Sequence, residues 1–447
     1  MQNNIDYDKW FSISREKKLE ALEIITNLNQ NLSINLEDGI GHISEHIRSD
    51  LFSLTIRALY QNKKVQLYLE KIDQIDEAQI HQFLENLKRQ AEVLCFKEKD
   101  FIFAGSVSYP EIPMQSFNFT DVNIQKKYDL LLSFEKELLT QSCFLKTIDS
   151  ICYSETFYQQ TLVNSKGLSL KQKGSFADLS VVCVFQKKDV IEELYENFTV
   201  KNFFDFNVIK YAQQVISLGE KKLEVCALKS NIYPTVFSNK TFASLLSSFS
   251  NVFSGLSAYH NLTKLKGKEG KMIAAPCVTI ADDPLCSEAF FQNQFDNEGV
   301  ACFPKIIVNK GIFQQFIHNL RTAHIFNTIP TGNSFDNSIT MSNCYLQKGK
   351  KNLTEIITPI KKGIYIDYLI GLHAGVDDIS GDFSLQAKGF VIEKGKITVP
   401  IKMMVVSGNF FEILKNIKAI ANDFVFKVSG FGSASVYVGE LSIAGEK

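Results

Sequence analysis

The sequence predicts an α+β fold, with an N-terminal mixed α/β domain that has an open sheet and helices, and a C-terminal β-rich domain with few helices. The chain has 447 residues, more than the roughly 250–300 at which a single hydrophobic core stops growing. Helical and strand patterns alternate in the first half, whereas strands broken by Gly, Asn and Asp dominate the second. We therefore predict domains at residues 1–227 and 228–447.

The first domain is predicted to begin with a helix, a hairpin and two more helices. Apolar residues recur at helical spacing over 16–29, 76–94 and 124–151. Between them, 51–56 and 65–69 are rich in β-forming residues and are separated by the turn residues N-K-K at 62–64. This succession favours an open sheet with helices on one face.

The rest of the first domain is predicted to contain three strands and two helices. The strand patterns cover 154–163, 167–173 and 175–186, with turn residues between the first two. Helical patterns then cover 189–196 and 207–218, and Gly219 is a natural end for the second.

The second domain is predicted to open with one helix and continue mostly as strands. Ser238 and Asn239 are suitable caps for a helix over 240–253, and a late helix is predicted at 410–420. The predicted strands are 299–303, 305–308, 363–366, 389–392 and 397–401, with hairpin-type turns at 309–311 and 393–396.

Charge and composition argue against several classes of partner. Lys and Arg total 48 and Asp and Glu total 49, so the balanced charge predicts no nucleic-acid or membrane partner. The polar, acidic start does not resemble a secretory signal, and no apolar run reaches the roughly 18–20 residues that span a bilayer. The nine cysteines are scattered without a C-x-x-C pair. We expect a cytoplasmic protein with reduced thiols.

One segment has the spacing of a metal motif. Residues 42–46 (H-I-S-E-H) match H-x-x-E-H, which on a helix would direct His42 and His46 to one Zn²⁺ while Glu45 polarises a water. Two glycines crowd its start and a strand pattern follows it, so an exposed polar connector or strand is the alternative.

The remaining sequence contains few other catalytic patterns. The other histidines are not paired at metal-ligand spacing with a second His, Cys and carboxylate; they are His81, His260, His318, His324 and His373. There is no Walker loop, no G-x-G-x-x-G that opens a helix and no G-x-S-x-G elbow. Residues 371–423 combine many glycines with small polar residues, which indicates tight turns or close backbone approach.

A series of motifs in the same order resembles the TldD/PmbA family of metallopeptidase subunits, weakly before about residue 125 and strongly after about 290. The motifs are 162–167 (L-V-N-S-K-G), 295–299 (F-D-N-E-G), 330–333 (P-T-G-N), 341–345 (M-S-N-C-Y), 380–396 (S-G-D-F-S to E-K-G-K), 406–409 (V-S-G-N), 421–423 (A-N-D) and 441–445 (L-S-I-A-G). The chain looks like the PmbA (TldE) branch of this family, which lacks the zinc-binding helix motif.

The resemblance implies where zinc ligands would lie. The TldD branch has H-E-x-x-x-H on the helix that opens its second domain, together with a late cysteine. Here the matching positions are approximately Ser248, Phe249 and Phe253, and no cysteine follows Cys344. Hydroxyl and phenyl groups do not replace imidazole and thiolate as zinc ligands. We therefore expect no catalytic residue, metal ligand or cofactor in this chain, and zinc in a TldD-type partner.

The resemblance also implies a subunit that dimerises and encloses a peptide-binding cavity. In the paired family system, TldD and PmbA/TldE degrade unstructured peptides and trim the leader of a peptide antibiotic that targets DNA gyrase, hence the label "modulator of DNA gyrase". We expect a cleft built from strand edges. The candidate cavity residues are His373, Asp382, Phe383, Ser384 and Asn409.

Three hypotheses about function remain open. The first is that the chain is the non-catalytic subunit of a metallopeptidase complex, which makes its own status as an enzyme uncertain. It is instead a self-sufficient metallopeptidase that uses the pair His42 and His46 or pocket histidines. The third possibility is a homodimeric peptide-binding or scaffold protein without a catalytic partner.

Overall fold

The computed structural model describes residues 5–37, 43–70, 75–95, 98–112 and 117–445. It has the predicted fold class, because helices and one large sheet make up the N-terminal part and short helices are scattered among strands in the C-terminal part. No helix within these ranges is long and apolar enough to cross a membrane.

The N-terminal part is built on one antiparallel sheet. Its helices are α1 (Tyr7–Glu16), α2 (Glu77–Val93), α3 (Ile124–Gln141) and α4 (Val208–Lys221). Its strands are β1 (Ala21–Glu37), β2 (Ile43–Tyr60), β3 (Lys63–Glu70), β4 (Leu145–Asn164), β5 (Ser169–Lys187) and β6 (Val190–Val200). The strand order is β3-β2-β1-β4-β5-β6, so β1 and β4 lie at the centre.

The two faces of this sheet have different neighbours. On one face, Ile24 packs in a cluster with α1 and α2, and Ile34 packs in a second cluster with α3 and α4. Successive side chains of a strand point to opposite faces, so Ile25 points away from the helices. It packs there against Phe295 from the second half of the chain. One face therefore carries the helices and the other contacts the C-terminal part.

The helix predicted at 16–29 is wrong, because α1 ends at Glu16 and β1 begins at Ala21. All residues from 21 to 26 are buried, since both faces of β1 are covered. A strand that is buried on both faces loses the alternation that identifies it, and its apolar residues then match a helical period by chance.

The helix predicted at 189–196 is also wrong, because residues 190–196 lie in β6 and residue 189 lies in the turn before it. Leu194 and Phe198 are buried on the face of the sheet that carries α3 and α4, while Ile191 and Tyr195 are 56% and 61% exposed. Exposed apolar side chains on an edge strand masked the alternation of its pattern.

Other N-terminal predictions are confirmed with changed boundaries. The hairpin joins β2 to β3 through Gln61 and Asn62, both with positive φ, and α2 and α4 lie where helices were predicted. Helix α3 is shorter than predicted and stops at Gln141. The two strands predicted at 167–173 and 175–186 form the single strand β5. Gly174 lies within this strand, where a side chain would clash because its Cβ would lie 2.3 Å from the Tyr158 hydroxyl oxygen. Helix α4 runs through Gly219 instead of stopping there.

The C-terminal part consists of short helices among many strands. The helices are α5 (Asn239–Ser248), α6 (Gly255–Tyr259), α7 (Leu320–Ile325), α8 (Leu353–Ile357) and α9 (Phe410–Asn416). The strands are β7 (Asn231–Phe237), β8 (Ile280–Asp282), β9 (Lys305–Asn309), β10 (Ile312–Phe313), β11 (Ser334–Phe335), β12 (Ser338–Ile339), β13 (Cys344–Leu346), β14 (Lys362–Ile370), β15 (Asp382–Glu393), β16 (Lys396–Asn409), β17 (Ala419–Ile420), β18 (Val425–Phe426), β19 (Phe431–Ser433) and β20 (Val436–Gly445).

Two sheets organise this part around one core. Strands β16, β15, β14, β7 and β20 pair in that order, and β20 pairs again with β16, which closes them into a barrel. The second sheet has the order β10-β9-β8-β13-β19-β18, so β18 lies at its edge. Helix α5 packs between the two sheets, against β14 and β19. One large apolar cluster fills the space between these elements.

The C-terminal strand predictions are mostly confirmed and the helix ends are corrected. Strands β9, β14, β15 and β16 cover four of the five predicted runs, with hairpins at 309–311 and 393–396. The run at 299–303 forms only an isolated bridge, between Phe295 and Ala301. The helix predicted at 240–253 is α5 followed by a separate 3-10 turn, and the helix predicted at 410–420 ends at Asn416.

Candidate functional site

The positions that match the family's zinc helix lie at the end of α5. Ser238 caps the start of this helix by accepting a hydrogen bond from the Thr241 backbone N–H at 3.3 Å. The last residue, Ser248, donates its hydroxyl to the Ser244 carbonyl at 3.2 Å. The side chain of Ser248 is therefore engaged within its own helical turn.

Phe249 and Phe253 follow and are both fully buried. The Phe249 ring stacks on Phe410, with 4.6 Å between centroids, and meets Phe383 at 6.3 Å. The Phe253 ring packs against Phe313 at 6.1 Å. Zinc requires nitrogen, oxygen or sulfur ligands at about 2.0–2.3 Å, and aromatic carbon occupies the surroundings of these two positions. These residues do not fit a zinc ion.

The H-x-x-E-H motif at residues 42–46 does not form a metal-binding helix either. Residues 43–46 belong to strand β2, where neighbouring side chains such as Glu45 and His46 point to opposite faces. His46 lies 3.2 Å from the Tyr128 hydroxyl through its Nδ1 atom, and His42 lies outside the described residues. The described ranges contain no group of three or more His, Cys, Asp or Glu side chains placed to hold a metal.

The remaining histidines lie on separate elements. His318 is buried beneath Gly255 and lies 3.2 Å from the Thr322 hydroxyl. Burial lowers the pKa of His318 to about 4. His373 is exposed in a turn. The others lie on α2, at the C-cap of α6 and on α7; they are His81, His260 and His324.

Four of the five candidate cavity residues come together on the hairpin of β15 and β16. Asp382 lies opposite Asn409, whose amide donates to its carboxylate at 2.7 Å. Ser384 lies opposite Ser407, with 3.1 Å between their hydroxyl oxygens. Phe383 points to the other face and is buried in the core. The exposed carboxylate and hydroxyl are accessible at the surface, whereas the phenyl ring is not.

Asn409 has a clear structural role. Its side-chain oxygen accepts hydrogen bonds from the backbone N–H groups of Phe411 at 3.1 Å and Glu412 at 3.3 Å, which caps α9. A Cβ on the preceding residue, Gly408, would lie 2.9 Å from the Phe383 ring. The G-N motif is thus explained by a helix cap beside a crowded backbone.

A cavity of about 620 Å³ lies in the N-terminal part, away from these candidates. It lies over the helix-bearing face of the sheet and is lined by Arg48, Phe157 and other residues. An ion pair at its floor joins Lys127 to Glu155 at 2.6 Å, and both side chains are less than 10% exposed. Sequence reasoning missed this pair, since its members lie on α3 and β4 without a motif around them.

The F-D-N-E-G motif forms a buried turn. The Asp296 carboxylate accepts backbone hydrogen bonds from Glu298 at 2.9 Å, Val300 at 3.0 Å and Ser334 at 2.9 Å. Burial, and then the nearby charge of Glu298, raise the pKa of Asp296 to about 7, although the three N–H groups oppose this. Gly299 has φ near +79°, which only glycine adopts readily.

The P-T-G-N and M-S-N-C-Y motifs meet at a second buried carboxylate. Asp282 accepts the Asn333 amide at 2.8 Å and the Lys305 ammonium at 3.1 Å. It also accepts the backbone N–H of Ser342 at 2.8 Å. Residues of both motifs therefore stabilise the C-terminal part by hydrogen bonding to the buried Asp282 carboxylate.

Charged residues link the N-terminal sheet to the F-D-N-E-G turn. Arg57 on β2 donates to Glu23 at 3.1 Å and to the carbonyl of Asn297. Lys64 on β3 pairs with Glu298. Because Asn297 and Glu298 are more than 200 residues away from Arg57 and Lys64 in the chain, no local pattern indicated these contacts.

Comparison with known proteins explains the shared motifs. Residues 230–445 match the model of the PmbA/TldA metallopeptidase C-terminal domain, and residues 117–218 match that of the PmbA/TldA metallopeptidase central domain. Together the two matches cover more than half of the chain. The chain belongs to the PmbA/TldD family.

The PmbA/TldD relatives include both branches of the family. A metalloprotease of Methanocaldococcus jannaschii is 25% identical over 95% of this chain and 96% of its own length. A PmbA homologue of Buchnera aphidicola is 23% identical, with 95% of each chain covered. A TldD homologue of Haemophilus influenzae is 24% identical over 96% of this chain and 92% of its own. Overall identity therefore does not separate the branches.

Solved structures of PmbA/TldD-type proteins have the same fold. A Thermotoga maritima protein, described as a candidate modulator of a DNA gyrase, superimposes with a TM-score of 0.89 at 22% identity over 98% of this chain and 99% of its own. TldE of Thermococcus kodakarensis superimposes with a TM-score of 0.84 at 20% identity, and the superposition covers 98% of this chain and 100% of TldE. These likenesses, at 22% and 20% identity, show that the chain shares their fold.

Proposed function

We propose that this chain is a PmbA/TldE-like subunit of a TldD/TldE-type metallopeptidase complex. It contributes to peptide binding and to degradation or leader-peptide processing, without supplying the zinc site. The observation that carries this proposal is the chemistry at the end of α5. A hydroxyl engaged in its own helix at Ser248 and two core phenyl rings at Phe249 and Phe253 offer no ligand set.

The chemical step then belongs to a zinc-bearing partner with H-E-x-x-x-H. Zinc in that partner would activate the attacking water, which needs a metal ligand set and a general base. The present chain would contribute surfaces that hold an extended peptide. Main-chain hydrogen bonds to a strand edge bind a peptide with little dependence on its sequence.

Two regions support peptide contact. Strand β18 lies at the end of its sheet, and no strand within the described ranges pairs with its outer edge, so this edge is a template for an added strand. The hairpin of β15 and β16 presents the exposed side chains of Asp382 and Ser384 beside Asn409, and the exposed His373 lies in the turn before it. We propose these polar side chains as secondary contacts, while the buried Phe383 would act only through packing.

Co-expression with an H-E-x-x-x-H paralogue tests the proposal. We expect the two chains to co-purify and together to cleave an unstructured peptide, with zinc in stoichiometric amount to the paralogue. A Glu→Gln change in the paralogue's motif should abolish cleavage. The matched change in the present chain, Ser248→Ala, should leave both the zinc content and the cleavage rate of the complex unaltered.

Two results would contradict the subunit role. If the two chains do not associate and this chain forms a stable homodimer by light scattering that binds peptide without cleavage, the scaffold hypothesis is correct instead. If the paralogue alone cleaves peptide as fast as the mixture, this chain does not contribute to the reaction.

A further inference from the structure

Lys427 is a half-buried lysine that has no acidic partner among the described residues. It follows β18, and its ammonium donates a hydrogen bond to the Ser244 hydroxyl on α5. It forms no ion pair with any residue in the part of the chain that the structure describes. Burial lowers the pKa of Lys427, and the nearby charge of Lys240 lowers it further.

The hydrogen bonds around Ser244 leave donors on Lys427 available. The Ser244 hydroxyl donates its single proton to the Lys240 carbonyl at 2.9 Å, so its oxygen accepts from Lys427. An ammonium has three donors, and one of them is used here. A partly desolvated cation of this kind is stabilised by an anion that approaches the remaining donors.

A second cation reinforces the positive potential. Lys240 lies one helical turn before Ser244 and influences Lys427 electrostatically. The carboxylate of Glu196 lies 3.5 Å from the Lys240 ammonium, and the Lys240 side chain is 57% exposed. The weak pairing of Lys240 and the absence of an acid beside Lys427, within the described ranges, leave a net positive spot.

This spot lies where an extended peptide could end. Lys427 immediately follows Phe426 on the edge strand β18, and its backbone N–H donates to the Phe431 carbonyl at 2.8 Å. Ser244 lies one turn before Ser248 on α5, close to the position of the family's zinc ligands. Three partly buried aromatic rings flank the strand with centroids 5.0–5.8 Å apart; they are Tyr345, Phe424 and Phe426.

We propose that Lys427, positioned by Ser244, binds a carboxylate of a peptide that lies along the free edge of β18. This inference rests on the proposed peptide-binding function and specifies what the site recognises. The carboxylate has two possible sources, the C-terminus of the peptide or an acidic side chain. The apolar rings beside β18 would contact the side chains next to that carboxylate.

The test uses the full chain assembled with its H-E-x-x-x-H partner, inactivated by Glu→Gln in the motif so that peptide is bound and not cut. An unstructured peptide labelled with fluorescein at its N-terminus is prepared in three forms. The first has a free C-terminal acid, the second a C-terminal amide, and the third has its Asp and Glu residues replaced by Asn and Gln. Fluorescence anisotropy gives the Kd of each.

Loss of the recognised carboxylate should raise the Kd at least about tenfold, because the complex then loses a hydrogen bond between two charged groups. A larger effect of the amide identifies the C-terminus, and a larger effect of the third form identifies a side chain. Lys427→Met should remove the preference, and Ser244→Ala should weaken it with an unchanged thermal unfolding midpoint. Lys415→Met, which removes an exposed lysine from α9, should preserve it.

Two outcomes would overturn the inference while leaving the subunit role intact. One is equal binding of all three peptide forms to the unaltered complex. The other is a preference for the carboxylate that persists in Lys427→Met. If no form binds at all, the proposed peptide-binding function fails, and this inference fails with it.

Discussion

The ring of Phe249 lies flat on the ring of Phe410, with 10° between their planes. The contact joins the C-cap residue that follows α5 to the first residue of α9. It places an aromatic stack where the resemblance to TldD leads one to expect the glutamate of a zinc motif. This aromatic stack contributes to the packing of the core, so its removal should lower the free energy of unfolding.

Phe249→Ala should therefore lower the free energy of unfolding by about 3–5 kcal/mol, because it removes a fully buried ring and leaves a cavity. Denaturant unfolding of the purified chain measures this change. Phe204→Ala is the matched control, since that ring is 68% exposed and its loss should cost about 1 kcal/mol or less. Equal losses in the two variants would contradict the buried packing of Phe249.

The ion pair of Arg57 and Glu23 should behave as a coupled unit. Their side chains are 6% and 3% exposed, and burial raises the pKa of Glu23 although Arg57 opposes this. Arg57→Met alone should cost about 3–5 kcal/mol because it leaves a buried carboxylate unpaired. The double variant with Glu23→Gln should cost less than the sum of the single variants. Additive losses in a double-mutant cycle would contradict the coupling.

Asp296 should make stability fall as pH rises. Its pKa is raised to about 7 from 3.8, so between these values the folded state holds a proton that the unfolded state has released. Stability therefore decreases with rising pH across that window, by up to about 1.4 kcal/mol for each pH unit. Unfolding measured from pH 4 to pH 8 should show a shallower decline in Asp296→Asn. A parallel decline in both proteins would contradict the raised pKa.

Asn409→Ala should lower the free energy of unfolding by about 0.5–2 kcal/mol, because it removes the cap of α9. Ser384→Ala is a suitable control on the same hairpin, since the exposed Ser384 hydroxyl contacts the Ser407 hydroxyl and its loss should change stability by about 0.5 kcal/mol or less. Thermal and denaturant unfolding of the two variants measure the difference. Equal stability of Asn409→Ala and the parent chain would exclude the capping role.

Local chemistry made some elements predictable from sequence. The hairpin of β15 and β16 turns through Lys394 and Gly395, both with positive φ, and the turn residues indicated it. Helix α2 begins at a capping box formed by Asp76 and Gln79, within a clear apolar stripe. In both cases the deciding interactions lie within a few residues of one another.

Other elements depend on distant parts of the chain and could not be predicted in that way. Strand β1 is covered on one face by α1 and α2 and on the other by residues as distant in the sequence as Phe295, so its own pattern was misleading. The partners of Arg57 include Asn297, which is 240 residues away. The candidate site shows the same division, because the residue types at Ser248, Phe249 and Phe253 could be read from the sequence, whereas Lys427 and Ser244 meet only through the fold.

The zinc content of the purified chain tests the central claim most directly. Elemental analysis of the chain expressed without a partner should give far less than one zinc per molecule, and the preparation should not cleave unstructured peptides. The reason is that Ser248, Phe249 and Phe253 provide no ligand set. One tightly held zinc per chain, together with peptide cleavage that a chelator abolishes, would contradict the account.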